Sequence, residues 1–238
     1  MQSKKLSIII PAYREGRTIR NNLEVIKRKL SGVVSDYEII LVIDGHVDNT
    51  YREARKVVGI KIISYKTNHG KGYALKKGFE ASTGELVTFL DADMDIDPLQ
   101  LKRMYPYLSA ADMVVGSKRH PFSKLQYPFF RRVLSFWYSM FIRVFFGLKL
   151  HDTQTGLKLM KRDVLKIIMP YILVKQYAFD LELCFLAHKH GFRIVEAPIT
   201  LDYKNSGTGI NTKTVRGMLI DTLAIWYRYY ILRYYQNK

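Results

Sequence analysis

The sequence has 238 residues, of which 48% are hydrophobic and 25% are charged. This composition is enough for a globular protein with a buried core, and it excludes a disordered chain. Lysine and arginine number 38 against 21 aspartate and glutamate, and the resulting formal net charge of +17 favours anionic partners such as nucleic acid, anionic lipid or phosphorylated substrates. The single cysteine, Cys184, excludes an internal disulfide.

Strand-like and helix-like segments alternate through the first half of the chain. Short apolar runs predict strands over residues 6–12, 37–43, 60–65, 86–90 and 112–116. The segments between them predict helices over residues 18–30, 48–57, 73–81 and 98–108. Because buried parallel strands are joined by helical crossovers, this alternation predicts an α/β fold, with a mostly parallel sheet covered by helices on both faces.

The second half of the chain is less regular. Helices are predicted over residues 129–146, 179–190 and 215–235, a strand over 193–202, and loops over 147–155 and 205–212. No repeat, low-complexity tract or linker interrupts the sequence. We therefore expect a single domain over residues 1–238.

An acidic cluster follows the fourth predicted strand. In an extended segment alternate residues point the same way, so Asp91, Asp93 and Asp95 are expected to share one face. Mg²⁺ and Mn²⁺ prefer such carboxylates together with substrate phosphates. Asp97 and Pro98 then read as the N-cap and first residue of a helix. The pattern predicts a metal–diphosphate site, and a polar strand-to-helix turn is the alternative.

Polar clusters also follow the first three predicted strands. They are residues 11–15 (Pro-Ala-Tyr-Arg-Glu), 44–48 (Asp-Gly-His-Val-Asp) and 68–72 (Asn-His-Gly-Lys-Gly). The two glycines beside Lys71 allow a ligand to approach the backbone closely, and the ammonium group suits a phosphate. The spacing is neither that of a Walker P-loop nor that of a dinucleotide fingerprint.

Taken in order, these motifs resemble those of the family-2 glycosyltransferases with the GT-A fold, a Rossmann-like, mostly parallel sheet. Residues 11–15 resemble the family's Pro-Ala-Tyr-Asn-Glu, and residues 43–50 resemble its Asp-Asp-Gly-Ser-x-Asp-x-Thr, with Ile43 and His46 as departures. The resemblance implies a metal site on Asp93, with Asp91 and Asp95, for Mg²⁺ or Mn²⁺. It also implies a nucleotide-sugar donor bound by Pro11, Tyr13, Glu15, Asp44, Lys71, Asp91, Ala92 and Asp93.

Motifs of the second half resemble those of the polyprenyl-phosphate hexose synthases, which include the dolichyl-phosphate mannose and glucose enzymes. These motifs are residues 116–120 (Gly-Ser-Lys-Arg-His), 131–135 (Arg-Arg-x-x-Ser), 152–158 (Asp-Thr-Gln-Thr-Gly-Leu-Lys) and 179–183 (Phe-Asp-Leu-Glu-Leu). The resemblance implies inverting hexosyl transfer from UDP-glucose or GDP-mannose to a polyprenyl (dolichyl) phosphate. Residues 1–117 would form the donor half, and residues 118–238 the acceptor half with amphipathic C-terminal helices.

Basic residues of the second half suit a phosphate acceptor. Arg131 and Ser135 are four residues apart, so on a helix they share a face and can hold one phosphate together. A solvated basic turn is the alternative. Lys118 and Arg119 are expected to draw the same phosphate into line.

The need for a general base depends on the acceptor. A phosphate is already ionised at neutral pH, so it needs no strong base. A sugar hydroxyl would need one, and Asp152 and Asp180 are the candidates. Asp180 and Glu182 diverge on a helix, so we expect one to face the site and the other to face solvent.

Two predicted helices, 129–146 and 215–235, are rich in aromatic and basic residues. Their aromatic content exceeds what one core-facing stripe needs, which favours interfacial helices on an anionic membrane surface, although a buried core helix is the alternative for the first. The charge-free run within the aromatic segment is well short of the ~20 residues that span a bilayer. We expect a cytoplasmic protein bound peripherally to the cytoplasmic face of a membrane.

Two rival functions follow from the same residues. One is a family-2 transferase that acts on a glycan or polysaccharide acceptor. The other is a nucleic-acid-binding protein that uses the net charge of +17. Charge alone does not explain ordered motifs at successive strand ends, so no nucleic-acid partner is expected. The sequence carries no indication of the oligomeric state.

Overall fold

The computed structural model describes residues 4–125, 129–201 and 212–236, without the side chains of Leu125, Phe129, Phe130, Arg131, Arg132, Leu134 and Lys213. Nine strands are present in these ranges: β1 (Leu6–Ala12), β2 (Tyr37–Asp44), β3 (Lys61–Tyr65), β4 (Leu86–Phe89), β5 (Met113–Ser117), β6 (Lys124–Leu125), β7 (Lys158–Lys161), β8 (Ile194–Pro198) and β9 (Thr200–Leu201). A seven-stranded sheet has the order β3-β2-β1-β4-β7-β5-β8, and β6 and β9 form a separate pair. The predicted mostly parallel sheet is confirmed.

The helices in these ranges are α1 (Ile19–Leu30), α2 (Thr50–Ala54), α3 (Lys71–Glu80), α4 (Leu101–Met104), α5 (Phe129–Phe146), α6 (Arg162–Ile168), α7 (Phe179–Lys189) and α8 (Thr212–Tyr230). The helix predicted over residues 98–108 is broken into short pieces, because α4 is flanked by 3-10 turns at Pro98–Gln100 and Tyr105–Ser109. Pro106 lies in the second turn and has no backbone N–H to continue an α-helix. The predicted cap is confirmed: Asp97 accepts a hydrogen bond from the Leu99 N–H (2.9 Å).

Among the described strands of the large sheet, β7 is the one that runs in the opposite direction to the others. It runs antiparallel to β4 and to β5, whereas the other pairs of the large sheet are parallel. The beginning of β7 therefore lies at the edge where β1, β2, β4 and β5 end. Residues 152–157, which precede β7, are brought to the same edge. The predicted elements included neither β7 nor α6.

Helices cover both faces of the sheet, as predicted. Alternate residues of β1 point to opposite faces, so that Ile9 packs into one core cluster and Ile8 into the other. Helices α1, α2 and α4 contribute to the cluster around Ile8, and α3, α5, α6, α7 and α8 contribute to the cluster around Ile9. Burial of each large aliphatic side chain contributes roughly 1.5–3 kcal/mol to this packing.

Helices α5 and α8 are each half in the core and half exposed. Ile142 of α5 and Ile225 of α8 are buried, and the Tyr138 and Thr222 hydroxyls, 2.9 Å apart, join the two helices. The other side of both helices, here called the apolar face, exposes Phe136, Trp137, Met140, Val144, Leu219, Ile220, Leu223 and Tyr227. Neither the core-helix nor the interfacial interpretation alone describes this pair. Among helices of the described ranges, none combines the length and hydropathy needed to cross a membrane.

Candidate active site

The loop after β1 carries the first of the predicted donor-binding residues. Pro11 lies within β1, Tyr13 is 40% exposed, and the guanidinium carbon of Arg14 lies 5.1 Å from the centre of the Tyr13 ring. The Glu15 N–H donates to the Thr50 hydroxyl (2.9 Å) at the start of α2. This hydrogen bond joins the loop after β1 to the segment that follows β2.

Asp44, at the end of β2, organises the neighbouring 68–72 loop. It is 3% exposed, and its carboxylate accepts hydrogen bonds from the Asn68 side chain (3.0 Å) and from the N–H groups of His69 (2.7 Å) and Gly70 (2.8 Å). Asp44 was predicted to bind the donor. In the structure both of its oxygens hold the loop in place beside Lys71, and donor binding by Asp44 stays a prediction.

Four alternating charges run from the loop into the protein interior. The Lys71 Nζ lies 2.6 Å from Asp91 Oδ1 and 4.0 Å from Asp180 Oδ2. Asp180 Oδ1 in turn lies 2.6 Å from the Nζ of Lys158, which also donates to the Thr155 carbonyl. Burial opposes ionisation of Asp91, but the charge and hydrogen bond of Lys71 hold the pKa of that carboxyl below its usual range. Asp91 is thus an ionised partner of Lys71.

The extended geometry from which a shared face of Asp91, Asp93 and Asp95 was argued is absent, because the strand ends before these residues. β4 stops at Phe89, and the chain turns at Ala92 and Asp93. Ala92 is 5% exposed, and its carbonyl accepts a hydrogen bond from the Asn22 side chain (2.9 Å). Among the described residues, no three Asp, Glu, His or Cys side chains come together as a ligand set for a metal ion.

Asp93 nevertheless has the surroundings of a cation ligand. Its carboxylate is exposed, and within the described ranges no Lys or Arg forms an ion pair with it. Crowding by protein atoms, and then the negative charges of Asp91, Asp95 and Glu15, raise the pKa of Asp93 to about 6. A cleft of about 470 Å³ opens beside Asp93 and Asp95. A divalent cation held by Asp93 would relieve this repulsion and could keep positions for water and phosphate. These residues fit such an ion.

Asp152 is buried and held by several hydrogen bonds. It is 7% exposed and accepts hydrogen bonds from the Lys118 N–H (3.0 Å), the Thr155 hydroxyl (2.7 Å) and the Gln154 N–H (3.0 Å). Burial acts in the opposite direction, but the Lys118 charge and these hydrogen bonds keep the pKa of Asp152 below its usual range. Asp180 is likewise paired with lysine ammonium groups. Both candidate bases are therefore paired with lysine ammonium groups.

Arg119 is the predicted acceptor residue with the clearest setting. It follows β5, its Nη2 lies 3.2 Å from the Ser135 hydroxyl on α5, and its guanidinium carbon lies 5.5 Å from the centre of the Phe136 ring. Lys118 instead forms an ion pair with Asp152, with its Nζ 3.7 Å from Asp152 Oδ2. The side chain of Arg131 lies outside the described residues.

Sequence reasoning missed Gly156 and Lys158 as parts of the site. A Cβ on Gly156 would lie 1.9 Å from Asp91 Oδ2, so only glycine lets this loop pass the carboxylate. Both residues belong to the motif at 152–158, but their closeness to Asp91 depends on β7. The expectation that one of Asp180 and Glu182 faces solvent is wrong, since both are buried, at 5% and 0% exposure. Helix α7 has no solvent side over residues 179–187.

Acids and a Gly-Lys-Gly loop at one edge of a mostly parallel sheet define the layout of a GT-A glycosyltransferase. The model of the family described as Glycosyl transferase family 2 matches residues 7–168. The chain belongs to that family, and the predicted enzyme class is confirmed.

Relatives and solved structures agree with this assignment. A dolichyl-phosphate beta-glucosyltransferase of Dictyostelium discoideum is 28% identical over 82% of this chain, which spans 65% of that protein. An undecaprenyl-phosphate mannosyltransferase of Micrococcus luteus is 28% identical over 92% of each chain. The crystal structure of glucosyl-3-phosphoglycerate synthase from Mycobacterium tuberculosis with Mn²⁺, UDP and phosphoglyceric acid has a TM-score of 0.73 at 18% identity, covering 94% of this chain and 78% of that one. This likeness confirms the predicted fold.

Proposed function

We propose that this protein transfers a hexose, with inversion, from UDP-glucose or GDP-mannose to a polyprenyl phosphate at a membrane surface. The observation that carries the proposal is the position of Arg119. Its guanidinium group is held by Ser135 and Phe136 at the end of β5, the sheet edge that also carries Asp91 and Asp93. The apolar face begins at Phe136, so a phosphate bound by Arg119 could leave its lipid chain against that face.

The donor side of the proposal rests on the 68–72 loop and the acids after β4. Lys71, fixed between Asp91 and Asp180, presents a positive charge to the donor diphosphate. Asp93 and Asp95 would hold Mg²⁺ or Mn²⁺, and when bound this cation supplies Lewis-acid neutralisation of the departing nucleoside diphosphate. The Mn²⁺ and UDP of the glucosyl-3-phosphoglycerate synthase structure support a divalent metal in this role.

The acceptor side needs orientation rather than proton removal. An ionised phosphate oxygen attacks the anomeric carbon from the face opposite the nucleoside diphosphate, and the C–O bond to the diphosphate breaks. Arg119, with Arg131 and Ser135 as predicted partners, would position that oxygen. The pairing of Asp152 and Asp180 with lysine residues supports this acceptor, because neither carboxylate is available to a sugar hydroxyl.

Attachment to the membrane is part of the same proposal. The apolar face of α5 and α8 would enter the bilayer edge, and the net charge of +17 would attract anionic lipid on the cytoplasmic side. The names of the relatives, which act on dolichyl or undecaprenyl phosphate, support a lipid acceptor.

A donor–acceptor panel tests the proposal. UDP-glucose and GDP-mannose are each incubated with dolichyl phosphate, undecaprenyl phosphate, 3-phosphoglycerate or oligosaccharides, with Mn²⁺, with Mg²⁺ or with EDTA. We expect one donor to give a lipid-linked hexose, and EDTA to stop the reaction. Transfer to 3-phosphoglycerate or to an oligosaccharide, with no lipid product, would reject the lipid acceptor.

A further inference from the structure

Glu182 of α7 makes hydrogen bonds to two separate parts of the chain. Its side chain is 0% exposed. One carboxylate oxygen accepts from the N–H groups of Leu173 (3.0 Å) and Val174 (2.7 Å), and the other accepts from the Tyr235 hydroxyl. Burying a carboxylate is costly unless its oxygens are hydrogen-bonded, so these contacts are needed to keep Glu182 inside.

The segment that Glu182 holds, residues 173–176, packs directly on the 68–72 loop. The Gly72 N–H donates to the Lys175 carbonyl (2.8 Å). A Cβ on Gly70 would lie 2.4 Å from that carbonyl oxygen, and a Cβ on Gly72 would lie 2.6 Å from the Val174 carbonyl oxygen. The two backbones are therefore in contact on both sides of Lys71, with no room for a side chain between them.

We propose that Glu182 is a positioning residue for the donor site. It holds residues 173–176 against Gly70 and Gly72. This contact fixes the backbone on both sides of Lys71 and therefore the direction in which the Lys71 side chain projects from the loop. Asp180, one half-turn earlier on α7, contacts the same ammonium directly at 4.0 Å. Helix α7 thus supports the loop through Asp180 and, indirectly, through Glu182. The inference rests on the proposed function in taking Lys71 as a ligand of the donor diphosphate.

Helix α8 and the residues after it support the 173–176 segment from the other side. Tyr235, which is 5% exposed, donates its hydroxyl hydrogen to Glu182. Asp221 accepts hydrogen bonds from the N–H groups of Tyr177 (3.2 Å) and Ala178 (3.4 Å), where the segment enters α7. Loss of the Tyr235 hydroxyl should loosen the same contact to a smaller extent.

Nucleotide binding by three variants separates positioning from general stability. Glu182→Met keeps the size of the side chain and leaves the Leu173 and Val174 N–H groups without their acceptor. Glu182→Gln keeps an acceptor for those N–H groups and a donor for the Tyr235 oxygen. Ile26→Ala, on α1 at the other face of the sheet, lowers stability without touching the segment. Dissociation constants for UDP and GDP are measured with Mn²⁺ by titration calorimetry, beside the Tm of each variant.

We expect Glu182→Met to weaken binding of the preferred nucleotide by about tenfold or more, because the binding-competent loop becomes a minor population. Glu182→Gln and Ile26→Ala should stay within about twofold of the wild type. Wild-type affinity in Glu182→Met, or an equal loss in Ile26→Ala, would overturn the proposal. If the wild type itself binds neither UDP nor GDP, the proposed donor site fails and the positioning role fails with it.

Hydrogen exchange in a different variant, Tyr235→Phe, gives a second measurement that does not require Glu182→Met to fold. The Gly72 N–H is bonded to the 173–176 segment in the wild type, so a peptide covering residues 70–76 should exchange faster in Tyr235→Phe. A peptide from α1 serves as the internal control. Unchanged exchange at residues 70–76 in Tyr235→Phe, with its hydroxyl removed, would contradict the proposed support.

Discussion

The Nζ of Lys158 lies 2.6 Å from Oδ1 of Asp180, and the two side chains are 0% and 7% exposed. This pair joins β7 to α7 beneath the active-site edge. Removal of two charges from water largely offsets their attraction, so a buried pair contributes little net stability. Its effect here is to orient Asp180, whose second oxygen faces Lys71.

Lys158→Met should destabilise the protein by about 3–5 kcal/mol, because it leaves Asp180 as a buried charge with a weaker partner. The double variant Lys158→Met/Asp180→Leu should recover a large part of that loss, since both charges are gone. Urea denaturation followed by circular dichroism measures the free energy of unfolding of each. A single variant as stable as the wild type would show that the pair is not closed in solution.

Gly156→Ala should reduce activity strongly, because the new methyl group would overlap Asp91, 1.9 Å from its Oδ2, and push that carboxylate away from Lys71. The measurement is transfer rate together with nucleotide affinity. Gly32→Ala is the matched control, since a Cβ there meets only ordinary contact at 3.5 Å. Equal activity in the two variants would mean that the position of Asp91 does not matter for transfer.

Asp93→Asn should abolish transfer and leave the fold intact. Burial, and then the neighbouring acids, raise the pKa of Asp93 to about 6, so its ionised form costs folding free energy at neutral pH and its neutral replacement should not lower Tm. Addition of Mn²⁺ should raise the Tm of the wild type and not that of the variant. Full activity of Asp93→Asn at saturating Mn²⁺ would remove Asp93 from the metal site.

Arg119→Ala should weaken use of the lipid phosphate more than nucleotide binding, because Arg119 contacts α5 rather than the 68–72 loop. The readouts are KM for polyprenyl phosphate and Kd for the nucleoside diphosphate. Arg131→Ala is predicted to behave in the same way. Ser135→Ala, which removes only the hydroxyl that holds the guanidinium, should have a smaller effect. Loss of nucleotide affinity equal to the loss of acceptor use would place Arg119 in the donor site or in the fold.

Liposome binding should depend on the apolar face. Trp137 is 63% exposed on α5 and Ile220 is 55% exposed on α8, so Trp137→Glu/Ile220→Glu should prevent co-sedimentation without loss of Tm. Val58→Glu is the control, because Val58 is 83% exposed in the turn before β3. Binding by the wild type should weaken with salt, which screens surface charge over ~8–10 Å, and persist in part on neutral lipid. Sedimentation of the double variant like the wild type would assign the face to another partner.

Substitution suits this test better than removal of α8. Ile225 and Tyr235 are buried at 0% and 5% exposure, so the C-terminal region is part of the core. Its deletion would change the fold together with any lipid contact.

Features encoded by neighbouring residues were predictable from the sequence. The strands before Asp44 and Asp91 are short apolar runs, and their polar ends follow directly, so the composition of one sheet edge could be read from local pattern. The cap at Asp97 was predictable for the same reason. The backbone after Phe89 was not predictable in this way, because the alternating acids suggested an extended chain where a turn begins.

Features that depend on distant partners were not predictable. β7 reads Lys-Leu-Met-Lys, and nothing in that string indicates a strand between β4 and β5 whose first lysine is fully buried. The burial of Glu182 depends on Leu173, Val174 and Tyr235, the last of them 53 residues away. The spacing of residues along one helix shows which of them share a side of that helix, but it does not show which other segments of the chain bury that side.

The place of β7 in the sheet also sets an order of events during synthesis. Strands β1 to β4 can pair as soon as residue 89 has left the ribosome, but β5, at Met113–Ser117, has no neighbour until β7 follows at Lys158–Lys161. A nascent chain that ends between these strands leaves one edge of β4 and both edges of β5 unpaired, and such edges pair readily with other chains. We therefore expect chains that end between residues 118 and 157 to be more prone to aggregation than the full-length chain.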